Sequence, residues 1–146
     1  MIDIESLVFD TVYNQLSTQY PSANISAGYD EKMAVFPNVV IRETSNVPYQ
    51  PANTDNCAEN YTRVTFEIEV TSNKVGTARS ECRKILSSAD AAMQGMKFRR
   101  TYMSNMLNVE RTIYRQYARY EAIVGKPYVV NAGQQNEKTV YQMYRR

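Results

Sequence analysis

The sequence predicts an α+β domain of two layers, a mostly antiparallel four-stranded sheet with two helices packed on one face. Three observations carry this. Residues 61–71 alternate apolar and polar side chains as a half-buried strand does. Residues 73–94 repeat apolar positions at three- and four-residue steps, as an amphipathic helix does. One apolar stripe cannot offset the backbone entropy of ordering such a helix, so the helix needs a sheet to lie on. The 146 residues fit one domain with a sizeable core.

The first element reads as a helix over residues 3–20. Ile4, Leu7, Val8, Val12 and Leu16 fall near helical spacing, Asp3 is placed to cap it, and Pro21 stops it. Residues 34–43 read as a strand. Pro37 has no N–H for a ladder, so the strand either begins after it or runs along a sheet edge. Residues 44–60 contain Pro48, Pro51 and four asparagines, and read as a long polar loop.

In the strand 61–71, Val64, Phe66, Ile68 and Val70 point one way, and Arg63, Thr65, Glu67 and Glu69 the other. The second set is expected to meet solvent or a partner. In the helix 73–94, Val75, Ala78, Cys82, Ile85, Leu86, Ala89 and Met93 form the stripe. Ser72 or Asn73 is placed to cap it, and Gly95 to end it in the left-handed region. Residues 96–103 and 111–124 read as two more strands. The second also fits a helical face through Ile113, Tyr117, Tyr120 and Val124, but its tyrosines and β-branched residues prefer strands. The domain is thus expected over 1–125, with 126–146 an extended C-terminal arm.

Composition narrows the function. There is no histidine, which removes the commonest general base and transition-metal ligand and the Ser-His-Asp and Cys-His nucleophile systems. The glycines are isolated, so no phosphate-cradling loop is present. Cys57 and Cys82 lack metal-ligand spacing. Asp55 and Glu59 in the polar loop are too sparse to argue a cation site. No catalytic residue, cofactor or metal is expected. No long apolar run suggests a membrane span, and the acidic N-terminus does not resemble a secretory signal, so a cytoplasmic location is expected.

Charge is unevenly spread. Residues 1–98 carry eight basic and twelve acidic side chains; residues 99–146 carry nine and three. Opposite ends of one molecule can meet head to tail, and such contacts build rings when the rotation closes. The stretch Tyr114-Arg115-Gln116-Tyr117-Ala118-Arg119-Tyr120 interleaves arginine with tyrosine. As a strand it puts Arg111, Arg115, Tyr117 and Arg119 on one face and Tyr114 and Tyr120 on the other. That face suits a protein interface, with single-stranded nucleic acid as the alternative. Arg63, Glu67 and Glu69 are the further interface candidates.

Four segments resemble the tail terminator, or tail-to-head joining (minor capsid), family of long-tailed bacteriophages. Phe36-Pro37-Asn38-Val39-Val40-Ile41 resembles its first strand. Phe66-Glu67-Ile68-Glu69-Val70-Thr71-Ser72-Asn73 resembles its second strand entering the long helix. Ala92-Met93-Gln94-Gly95-Met96-Lys97-Phe98 resembles its helix end and third strand, and Tyr114–Tyr120 its last strand. The resemblance spans about Phe36 to Val124. It implies a virion tail protein, assembled in the host cytoplasm. The protein would form a homo-oligomeric, hexameric ring that caps the tail tube, stops its polymerisation and joins it to a head-connector or stopper protein. Nucleic acid would be met only in passage through the ring. Arg111, Arg115 and Arg119 would then meet an acidic surface on a neighbour, with Glu67 and Glu69 as candidates. Replacing Arg115 and Arg119 by Glu would spare the fold and abolish capping. Another head-completion component, or a nucleic-acid-binding module, is the alternative.

Overall fold

The computed structural model describes residues 1–28, 35–49, 60–106, 112–131 and 137–143. Two helices, α1 (Glu5–Gln19) and α2 (Ala78–Gly95), accompany six strands: β1 (Asn24–Ser26), β2 (Asn38–Pro48), β3 (Tyr61–Ser72), β4 (Arg99–Met106), β5 (Tyr114–Asn131) and β6 (Glu137–Met143). The sheet order is β1-β2-β3-β5-β4, with β6 paired to β5. All pairings are antiparallel except β1 with β2. α1 lies over β2 and against α2, and α2 lies over β3, β5 and β4. The α+β class and the two helices on one face hold; the sheet has more strands than the expected four.

The core is the seam between these layers. Val8, Val12 and Leu16 of α1 and Cys82, Ile85, Leu86, Ala89 and Met93 of α2 close on the inward residues of the sheet. Those are Val39 and Ile41 of β2, Val64, Phe66, Ile68 and Val70 of β3, and Ala118, Tyr120, Ala122 and Val124 of β5. The alternation in β3 therefore reads correctly. β5 is a strand, with the expected parity: Tyr120 is in the core, while Tyr117 and Arg119 are on the other face. Phe66 meets Phe98 edge to face at 5.7 Å, a favoured aromatic geometry.

Several local expectations are corrected. The residue preceding α1 is Ile4, although the Asp3 carboxylate does accept from the Glu5 N–H at 3.0 Å. Leu7 is 44% exposed, outside the buried stripe. α2 starts at Ala78 and not near 73, because Gly76 sits at φ 77, a backbone no right-handed helix passes through. Val75 is consequently exposed. Ser72 does not cap the helix; its hydroxyl donates to Glu81 at 2.9 Å and accepts from the Lys74 N–H at 3.3 Å.

At the other end of α2, Gly95 stays helical and Lys97 takes the left-handed position, at φ 70. The Lys97 N–H donates to the Gln94 carbonyl at 2.9 Å and the Phe98 N–H to the Met93 carbonyl at 3.0 Å. This paired closure ends a helix while burying the residue beyond it, here Phe98.

The strand expected at 34–43 begins after Pro37 and continues to Pro48, so residues 44–48 are not loop. A bulge between Glu43 and Ser45 resets the register. Polar side chains there are held by tertiary bonds: Asn46 Nδ2 donates to the Ile2 carbonyl at 2.9 Å, and the Thr62 hydroxyl to Asn46 Oδ1 at 2.6 Å. Residues 50–59, with Cys57, Asp55 and Glu59, lie outside the described residues. Asn24–Ser26, just beyond the stop at Pro21, forms a short strand.

The expected arm is also corrected. β5 runs on to Asn131, and β6 returns along residues 124–131 of it. Because β3 pairs with β5 only as far as Gly125, this hairpin continues the sheet beyond the two-layer body. β6 lies on the β4 side of β5, so the two strands follow one another along one edge.

Candidate protein-interaction surface

Both helices lie on one face of the sheet, and the strand registers place the remaining side chains in rows across the other. One row runs Arg42, Glu67, Arg119, Tyr102 through β2, β3, β5 and β4. The next runs Val40, Glu69, Tyr117, Ser104. Thr65, Glu121 and Arg99 make a third. Directly opposed side chains of this kind are close enough to interact.

They do so mainly by charge. Arg42 Nη2 reaches Glu67 Oε1 at 3.1 Å, and Arg119 Nη2 reaches Glu67 Oε2 at 3.6 Å. Arg115 Nε donates to Glu69 Oε1 at 2.7 Å, and its Nη2 bonds the same oxygen. Arg63 lies 3.5 Å from Glu121 and covers the Tyr49 ring at 5.4 Å, a cation–π distance.

The consequence is an asymmetry of exposure. The Glu67 and Glu69 side chains are 10% and 6% exposed, while the Arg119 and Arg63 side chains are 48% and 46% exposed. The carboxylates lie under the guanidinium groups that neutralise them. What the face presents outward is arginine and tyrosine.

Tyr102 and Tyr117 meet at 5.6 Å between ring centroids, tilted by 50°. The Tyr102 phenol is lowered from its ordinary value, first by its hydrogen bond with Ser104 and then by that with Tyr117. The Tyr117 phenol is raised, first by desolvation and then by the same bond with Tyr102.

Arg115, Tyr117, Arg119, Arg63, Glu67 and Glu69 are thus on one face, as the alternation implies. Arg111 lies outside the described residues. The expected meeting of Arg115 and Arg119 with Glu69 and Glu67 of a neighbour is corrected: those pairs are made within the chain, because β3 and β5 are adjacent strands. Arg115 is also no free surface residue. Its side chain is 17% exposed against a 6% exposed Glu69, so reversing its charge would disturb the fold.

Sequence reasoning missed Arg42, Arg99 and Tyr102. Arg42 follows the apolar run of β2 and Tyr102 follows two arginines, but only cross-strand register aligns them with Glu67 and Arg119. It also missed Asp90 on α2. Its Oδ1 accepts from Arg100 at 3.0 Å and from the Tyr120 hydroxyl at 2.9 Å, and its Oδ2 from Gln94 at 2.8 Å. The buried Tyr120 ring thereby keeps its polar end satisfied, and its phenol is raised by burial and by Asp90.

Elsewhere the chemistry is quiet. Cys82 is fully buried and its thiol is pushed up to about 12 by burial, with Glu81 adding to it, so it is a poor nucleophile. Among the described residues no group of three or more Cys, Asp or Glu could hold a metal ion, and no helix is long and apolar enough to cross a membrane. Comparison with models of known protein families and with curated proteins finds no match to this chain.

Proposed function

We propose that this chain is a structural virion protein, a tail terminator that caps a bacteriophage tail tube as a homo-oligomeric ring and joins it to the head connector. It performs no catalysis in this reading. The resemblance of its strand and helix segments supplies the family. The observation that carries the reading in this molecule is the sheet face opposite the helices. Among the described residues it bears Arg42, Arg63, Arg99, Arg115 and Arg119 with Tyr102 and Tyr117, against Glu67, Glu69 and Glu121.

Arginine and tyrosine are the residues enriched where proteins meet. Here they are pre-positioned by intrachain pairing, so less side-chain freedom is lost on docking. The hairpin of β5 and β6 extends the sheet past the body and offers a neighbour further strand edge. A ring needs contacts of this heterologous kind, repeated until the rotation closes.

The test is assembly. Tail-tube protein polymerised with this chain should give tubes bearing a ring at one end and of limited length, seen by negative-stain microscopy. Tubes that elongate identically with and without it end the proposal. A second reading rests on the Tyr102–Tyr117 pair beside Arg119, which offers aromatic faces and charge to a single strand of nucleic acid. Oligonucleotide affinity that falls steeply with salt, together with unchanged tubes, would favour it.

A further inference from the structure

An open sheet edge and a hairpin outside the body lie on the same side of this domain. Among the described residues no strand lies beyond β4, so the backbone N–H and C=O groups on its outer side have no ladder to join. Beyond Gly125, β5 has β6 on one side and, among the described residues, no strand on the other. The helices lie over β2, β3, β5 and β4. The ribbon of residues 126–131 and 137–143 is thus two-stranded. Such a ribbon is at best marginal in water until a third strand or a helix lies against it.

The two sheet edges are not alike. On β2, β1 covers residues 38–40, and the rest carries Arg42, Glu43, a bulge between Glu43 and Ser45, and Pro48. Charge, bulges and proline keep a strand edge from pairing with another chain. β4 has such guards at its start, with Arg99, Arg100 and a bulge between Arg100 and Tyr102. Residues 102–106, Tyr-Met-Ser-Asn-Met, are uncharged and lack proline. Tyr102 and Met103 are 49% and 40% exposed there. Residues 139–143 of β6 are also uncharged and without proline. Both unguarded stretches therefore belong to one edge, and the opposite edge is guarded.

Direction decides what that edge can meet. β4 lies opposite residues 115–121 of β5, and β6 opposite residues 124–131. Both are antiparallel to β5, so they run the same way along the edge. A half-turn about an axis normal to the sheet reverses that direction. Centred beside Ile123, it also exchanges the two spans. Ser104 pairs with Tyr117 and Thr139 with Val129, equally far along β5 from Ile123, so the turn sets Ser104 of one copy opposite Thr139 of the other.

We propose that two copies of this chain join their β4–β6 edges by this half-turn, β6 of each adding antiparallel to β4 of the other. Each hairpin gains its third strand, and each β4 gains an outer neighbour through main-chain hydrogen bonds. The contact is self-complementary, with the same edge used by both copies. It does not rest on the tail-terminator reading, because it closes at two copies and leaves the arginine-bearing face uncovered. A ring that offers the hairpin to a heterologous neighbour has to open this pair, so the pair is the form of the chain away from a tube.

The test uses the full chain carrying Cys57→Ser, which leaves the buried Cys82. Mass is read by light scattering, proximity by a short bis-maleimide cross-linker, and folding of each variant by its melt. The parent should form dimers as concentration rises. Mixed Ser104→Cys and Thr139→Cys chains should give a covalent pair linking 104 to 139, and neither chain should link to its own kind. Residues 102–106 and 137–143 should gain protection from hydrogen exchange on dimerisation. Met103→Lys/Ser104→Lys should weaken dimerisation by at least ~tenfold, because it sets charge on the unguarded stretch. A parent still monomeric at ~1 mM, or one that grows past the dimer, overturns the proposal. So does a folded lysine variant that dimerises like the parent. A Ser104→Cys chain that links to itself assigns a β4–β4 pair and also overturns it. If 104 links to 139 yet tube length is unaffected, the capping role fails and the pair stands. If tubes are capped by a chain that gives no such link, the pair fails and the capping role stands.

Discussion

From Phe66 onward β3 is buried on both faces, and by opposite means. Toward the helices, Val64, Phe66, Ile68 and Val70 are wholly removed from water by hydrocarbon. Away from them, Glu67 and Glu69 are nearly as hidden, but under arginines from β2 and β5. The first face gains from every buried carbon. The second must first give up carboxylate hydration, and its ion pairs return little beyond that. Equal burial therefore does not mean equal contribution to stability. One face holds the fold together, and the other holds a set of guanidinium groups in place.

Breaking the apolar face should cost most. Ile68→Asp buries a carboxylate with no partner and is expected to abolish the cooperative melt. Phe66→Ala, which also removes the edge contact to Phe98, should cost about 3–5 kcal/mol in denaturant unfolding. A soluble Ile68→Asp chain that melts near the parent would reverse the assignment of the two faces.

The charged face should be weaker and coupled. Glu69→Ala removes the carboxylate that pairs with the partly buried Arg115, and should cost about 2–3 kcal/mol, below the range for fully buried pairs because Arg115 retains some exposure. Replacing both residues by Leu should recover most of that loss. A double-mutant cycle showing no coupling between positions 69 and 115 would remove the pairing from the argument.

Smaller effects sharpen the contrast at its margin. Glu43 is raised above its ordinary value of 4.5, chiefly by burial. The fold thus disfavours its ionised form, so its contribution weakens stability as pH rises through 4.5 and the raised value, and stays unfavourable above. Glu43→Gln should raise the melting temperature slightly at neutral pH, and that gain should vanish below pH 4.5. A gain that persists in acid would point to packing instead. Smallest of all, Lys97→Gly relieves a non-glycine residue at φ 70 but loosens the unfolded chain. The two partly cancel, and a net stabilisation under about 1 kcal/mol is expected from thermal melts.

Most of the architecture was legible from short-range pattern. Period-two alternation identifies β3 and its inward residues, and period-three-and-four spacing identifies α1 and α2. The same parity places Arg115, Tyr117 and Arg119 together on the sheet face away from the helices. What eluded pattern were segments whose stability is not local. Residues 44–48 look like loop because their side chains are polar, yet Asn46 is bound by Ile2 and Thr62, distant in the chain. Residues 126–131 and 137–143 look like an arm because neither segment shows its pairing with the other in its own sequence pattern.

By itself, then, the order of residues determined which side chains share a face, since that depends only on backbone periodicity within one element. It also determined the absence of imidazole chemistry and the imbalance of charge along the chain. Which strand lies beside which was decided by the folded layer. Alignment of Arg42, Glu67 and Arg119 depends on register among three strands, and the meeting of Arg115 with Glu69 inside one subunit on register between two. No periodicity within one segment encodes a register between several, because it is set by the packing of whole strands against a shared core.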